Sequence, residues 1–169
     1  PFVRNYLEHE GELRGLGNSL HVAVENLRGD VYDPEYLDAL RTITDELSVT
    51  PGVDRAWVRS LWMPGVRWHE VTEEGIRAGP VMPDDYDGSP RAIEALRRNV
   101  LRAGLSGDLV ADDARSSLVL VPLLDRDPVT GAGIDYSALA GRLEDLRRRF
   151  EEGADRGRIA VHVVGFAKL

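Results

Sequence analysis

The stretch Leu20-His-Val-Ala-Val-Glu-Asn-Leu27, followed after the turn Arg28-Gly-Asp30 by Asp33-Pro-Glu-Tyr-Leu-Asp-Ala-Leu40, decides how this chain folds. In its first half Leu20, Val22 and Val24 alternate with His21, Ala23 and Glu25. That two-residue period marks a strand with one buried face. In its second half Asp33 is placed to cap a helix and Pro34 takes the first helical position, where a missing N–H is harmless. Glu35 adds negative charge to the first turn. Tyr36, Leu37, Leu40, Ile43 and Leu47 then share one face at helical spacing, which predicts a helix over 34–48. Pro51-Gly52 breaks the chain, and the Val and Trp content of Val53–Leu61 predicts a second strand. The segment thus reads as a βαβ unit.

A second unit of the same kind lies near the far end. Ser117–Leu124 is almost continuously apolar, as in a strand covered on both faces, although Pro122 lacks the N–H a ladder needs and predicts an edge or a bulge there. Asp135 is positioned to cap a helix whose buried face is Leu139, Leu143, Leu146 and Phe150, and Arg158–Phe166 reads as the closing strand. Two such units predict an α+β fold, a ferredoxin-like βαββαβ sandwich with helices on one face of an antiparallel sheet. Between the units, about 62–115 is expected to be an insertion of hairpin and helix. Its helix starts at Ser89-Pro90 and buries Ile93, Leu96 and Val100, and a short polar return follows. Residues 1–19 read as a polar N-terminal connector, with a helix through Tyr6 and Leu13, and 20–169 as the folded domain.

Composition narrows the functional classes. The 169 residues carry 29 acidic against 21 basic side chains, a net charge of −8. Nucleic acid is therefore not an expected partner, since phosphate binding needs a basic face. The basic runs Arg97, Arg98, Arg102 and Arg147, Arg148, Arg149 stand beside acidic residues and read as solvated helix faces. With no cysteine, disulfides, thiolate metal sites and cysteine nucleophiles are excluded. No stretch approaches the roughly 18–20 apolar residues of a membrane-spanning helix. The chain starts at Pro1 and stops in an apolar segment, Arg158–Leu169, so both ends read as cuts.

Chemistry is hard to find. His9, His21, His69 and His162 are not at ligand spacing, and His21 and His162 fall in strands. Gly15-Leu-Gly17 lacks the third glycine of a dinucleotide loop and precedes a strand instead of following one. Asp125–Asp135 resembles a calcium loop, but its sixth position is Thr130 and its twelfth Tyr136, so a turn is expected. Asp84, Asp85 and Asp87 likewise read as an exposed turn between Pro83 and Gly88. No metal site, cofactor or catalytic residue is expected.

The most unusual composition lies around the insertion. Trp57, Trp62 and Trp68 fall within twelve positions, with Met63 and Met82 in the same segment. They are either a satellite core holding the insertion to the sandwich or a wall for an apolar ligand, for which flat aromatics and adaptable methionines are suited.

Several stretches also resemble a known family. Asn5-Tyr-Leu7, Leu16-Gly-Asn-Ser-Leu20 leading into Val22-Ala-Val-Glu25, Tyr32-Asp-Pro-Glu-Tyr-Leu37, Thr50-Pro-Gly-Val-Asp54, Ser60-Leu-Trp-Met-Pro64, Val81-Met-Pro-Asp-Asp-Tyr86 and Val164-Gly-Phe-Ala-Lys-Leu169 are similar to the first large extracytoplasmic loop of exporters of the resistance-nodulation-division (RND) superfamily. The similarity is to the branch of the mycobacterial large membrane proteins and hopanoid exporters. It implies a non-enzymatic porter domain on the periplasmic side of the inner membrane, within an integral membrane protein driven by protons. Implied partners are the transmembrane domain and second periplasmic loop of the same parent chain and a hydrophobic small molecule or lipid, and homo-oligomerisation is admitted. On this view Trp57, Trp62, Met63, Trp68 and Met82 are the candidate substrate-binding residues. The rival reading is a freestanding ferredoxin-like ligand-binding or sensory module, or a cofactor-free enzyme of the same fold.

Overall fold

The computed structural model describes residues 18–153 and 155–165. In chain order these form β1 (Ser19–Asn26), α1 (Pro34–Ser48), β2 (Arg67–Thr72), β3 (Gly75–Pro80), α2 (Pro90–Arg102), β4 (Ser116–Pro122), α3 (Tyr136–Glu152) and β5 (Ile159–Gly165). β1 is the centre of an antiparallel sheet of order β4-β1-β5, and β2 and β3 pair antiparallel as a separate ribbon. The architecture is α+β. The N-terminal connector and its helix through Tyr6 and Leu13 lie outside the described residues.

Local chemistry sets the helix starts. Asp33 accepts from the Glu35 N–H at 2.9 Å and Asp135 from the Ala138 N–H at 2.9 Å, each satisfying a donor that the first turn leaves without a partner. Ser89 does the same for α2 through Ala92. From those starts α1 buries Tyr36, Leu37, Leu40, Ile43 and Leu47, and α3 buries Leu139, Leu143, Leu146 and Phe150. These side chains meet Leu20, Val22 and Val24 of β1 and Val119 and Val121 of β4 in one core. Each buried Leu or Val contributes roughly 1.5–3 kcal/mol by leaving water.

One buried polar contact ties the layers together. The Tyr36 hydroxyl donates to the Val24 carbonyl of β1 at 2.8 Å, and Ser117 of β4 is 2.6 Å from the same oxygen. Because the phenol has one proton and spends it on Val24, the Ser117 hydroxyl is the donor in the second bond.

Val53–Leu61 is not the continuous strand that its composition predicts. Arg55–Trp57 instead forms a 3₁₀ turn, and the segment makes two isolated bridges, Arg59 to Leu120 of β4 and Val53 to Leu123 just past its end. Trp57 stands 71% exposed on that turn, so the β-forming residues here do not line a pleated surface. β4 also differs from expectation, since full burial alternates with partial burial along it. Pro122 is its last residue, and its carbonyl accepts from the Asp54 N–H at 2.9 Å.

The outer edge of β4 is closed by two short segments. Arg59 exchanges backbone bonds with Leu120 at 3.0 and 2.8 Å, while Leu118 N–H donates to Leu109 and Ala111 N–H to Ser116. The expected polar return therefore contains two buried residues, Leu109 and Val110, that extend the sheet. An ion pair of Arg59 with Asp108, 3.2 Å, closes the neck of the hairpin and helix excursion between them. Within that excursion Asn99 of α2 donates to the Val81 carbonyl at 3.0 Å and fastens the chain leaving β3.

Burial pushes the Tyr36 phenol far above the ordinary tyrosine value of 10.0, with the hydrogen bonding of Ser117 opposing the shift. The stability linked to it is whole below pH 10.0 and declines as pH rises above that value, where the unfolded chain ionises first. Replacing Tyr36 with Phe leaves Val24 and Ser117 without this partner, so urea unfolding at neutral pH is expected to show a loss of about 1–3 kcal/mol. The variant should also lose stability less steeply than the parent between neutral pH and strongly alkaline solution.

Candidate functional site

The five candidate residues do not form one wall. Trp62 is partly buried on α1, where its indole N–H donates to the Leu37 carbonyl at 2.9 Å. Tyr86 meets it edge-on with ring centres 5.2 Å apart, and the Arg41 guanidinium lies 5.0 Å from the Trp62 ring centre. Met82 is buried in the main core and Met63 packs against that core, its sulfur 3.9 Å from the Ser48 hydroxyl at the far end of α1. Trp68 is elsewhere, on the ribbon, with Arg102 of α2 5.2 Å from its ring centre. Trp57 is on the surface. The structure thus sets Trp62, Met63 and Met82 against the main core and leaves Trp57 and Trp68 apart.

Tyr86 is the notable member of the cluster. Its hydroxyl is buried with no hydrogen-bond partner among the described residues. Burial, reinforced by the carboxylates of Asp38, Asp33 and Asp87, raises its pKa, so the neutral phenol is favoured.

A concavity lies in a different place. A cleft of about 550 Å³ opens between α1 and the C-terminal end of α3. Ala39 and Phe150, both nearly buried, form its apolar floor. Its walls carry Glu35, Asp38 and Thr42 on one side and Arg149, Asp155 and Arg158 on the other. Arg149 pairs with Glu46 and so bridges α3 to α1, while Arg158 pairs with Glu35 and ties the turn before β5 to α1. A smaller depression of about 120 Å³ continues between the same helices, beside Leu47 and Leu146. None of the five tryptophan and methionine positions lines either cavity.

The cleft has an apolar floor and charged walls, the pattern of a site that orients a ligand. Among the described residues no three His, Asp or Glu side chains converge as a metal site would require. His21 and His69 are exposed, and exposed His162 is 3.3 Å from Glu25. His9 lies outside the described residues. The Thr44 and Ser60 hydroxyls are 2.8 Å apart, but both are fully enclosed and tie α1 to the chain before Trp62. In the Asp125–Asp135 loop, Asp127 accepts from the N–H groups of Val129 and Thr130, which hold its carboxyl below the usual range and form a turn. Asp87 likewise caps its own turn through the Ser89 N–H at 2.9 Å.

The sequence reading missed the cleft. Glu35, Asp38 and Thr42 recur at spacings of three and four and so mark one face of α1, which was legible. That the end of α3 comes opposite this face depends on tertiary placement alone. Compared with protein-family models, curated proteins and solved structures, the chain has no match.

The ribbon offers a direct test of how Trp68 is held. A Cβ added at Gly79 would come 2.9 Å from Trp68 Cζ2 and 3.0 Å from its Nε1, so the indole lies flat against the glycine. Gly79→Ala must swing the ring away, at a cost of about 1–3 kcal/mol for such overpacking. In a Trp57→Phe background the expected result is red-shifted tryptophan emission and faster amide exchange over 67–80, with exchange in β1 unchanged.

Proposed function

We propose that this chain is the soluble periplasmic porter domain of a proton-driven RND-type exporter, which binds or guides hydrophobic, lipid-like substrates and performs no bond-making chemistry. The observation that carries the reading is the meeting of three stretches similar to that family. Tyr32–Leu37, Ser60–Pro64 and Val81–Tyr86 are far apart in sequence, yet Trp62 bonds to Leu37 and packs against Tyr86. A shared motif set that forms one packed junction supports common ancestry better than scattered matches do. Strand order adds to it. With 53–59 counted as an outer fourth strand, the sheet reads β5-β1-β4-(53–59), the ferredoxin-like order of two interlocked βαβ units.

In this reading the transmembrane domain and the second periplasmic loop of the parent chain are the partners, and the proton-coupling charges belong to that transmembrane domain. Among the described residues no helix is long and apolar enough to cross a membrane. Exposed Trp57 and the partly exposed Trp62 and Trp68 are the groups offered to an apolar substrate, at separate points of the surface, while Met63 and Met82 belong to the core side. A freestanding ligand-binding or sensory module is the second reading, favoured by the cleft between α1 and α3.

Fractionation of the full-length gene product separates the two. The exporter reading expects the product in the membrane pellet, with this domain cleaved by protease added from the periplasmic side. It also expects brominated phospholipid to quench the tryptophan emission of the isolated chain, and Trp57→Phe to weaken that quenching. A product confined to the soluble cytoplasmic pool, with emission indifferent to brominated lipid, rejects the exporter assignment.

A further inference from the structure

The two edges of the main sheet are treated differently. β4 is closed by the bonds to Arg59, Leu109 and Ala111, whereas the outer edge of β5 makes no ladder with any other described segment. Exposed edges are ordinarily blunted by lysine, proline, a bulge or an inward charge. β5 has none of these devices. Its seven residues, Ile159-Ala-Val-His-Val-Val-Gly165, contain no Asp, Glu, Lys, Arg or Pro, and its pairing with β1 runs without interruption from Ile159 to Gly165. Val163 and Val164 are 37% and 64% exposed on it.

We propose that β5 is a docking edge for a second copy of this chain, paired antiparallel across a two-fold axis at His162 so that the two three-stranded sheets become one. This inference stands apart from the exporter reading, because it rests only on the edge. The strand is complementary to itself about its middle residue. With His162 opposite His162 of the second copy, Val161 faces Val163 of that copy and Ala160 faces Val164, so apolar side chains meet on both faces. An isologous contact of this kind closes on itself and generates a dimer without further growth.

Charge confines a like partner to this edge without itself attracting one. Two copies of a chain of net charge −8 repel over most approaches, and β5 offers one another a strand without formal charge. The nearest titratable neighbour on the sheet face is Glu25 of β1, 3.3 Å from His162 in its own copy, which places a carboxylate beside each central imidazole.

Sedimentation equilibrium of the 169-residue chain from micromolar to submillimolar concentration tests the proposal. A monomer–dimer equilibrium is expected, with the β5 amides slower to exchange as the dimer fills. His162→Lys puts like charges at the centre and should raise the dimer dissociation constant by about tenfold or more, and Val164→Lys should act in the same direction. Val129→Lys, at a 91% exposed loop position, is the control and should leave the equilibrium unchanged. Circular dichroism establishes that each variant is folded. A chain that stays monomeric throughout, or a dimer that both β5 lysines leave intact, overturns the assignment.

Discussion

A single phenol holds the layers of this protein in register. Tyr36 reaches from α1 to a β1 carbonyl and is met by a β4 hydroxyl, and all three groups are shut away from water. A buried hydrogen-bonding group is costly when it lacks a partner, so helix and strands have one relative position in which the three are satisfied together. Apolar packing alone tolerates sliding more readily than this does. Everything hung on α1 inherits the constraint: Trp62 docks on its Leu37 carbonyl, and its outer face is one wall of the cleft.

The elements legible in the sequence were those whose signals agree at several levels. α1 was readable end to end because an Asp cap, a proline at the first position and a five-residue apolar face all point to the same helix. α3 was marked by Asp135 and its apolar stripe in the same way. β1, β4 and β5 followed from alternation or apolar content, with boundaries shifted by a residue or so. Val53–Leu61 misled because β-forming composition describes side chains suited to a pleated surface, while this segment meets the chain of β4 and Leu123 in separate contacts, at Val53, Asp54 and Arg59, and turns between them. Leu109 and Val110 were hidden by the polar residues around them. Their burial follows from β4 having an edge to cover.

The site was less legible than the fold. Three tryptophans close in sequence suggested one surface, but a turn at Arg55–Trp57, a docking contact on α1 and a ribbon strand send them in three directions. Proximity along a chain predicts proximity of side chains only within a regular element, where the period fixes direction. The cleft has the opposite character. Its lining comes from α1, from the end of α3 and from the turn before β5, so no window of sequence contains it.

The Arg59–Asp108 clamp bears on how this architecture diversifies. Because the chain leaves β4's edge and comes back to it two ladder positions away, everything in between is a cassette whose ends are already joined. Lengthening such a closed loop costs little, since the closure entropy grows only with the logarithm of its length. The ribbon and α2 are therefore free to be traded for other hairpins, helices or longer arms while the sheet beneath remains the same. Variation among descendants of this fold should accumulate there, and the sheet should carry the memory of their descent.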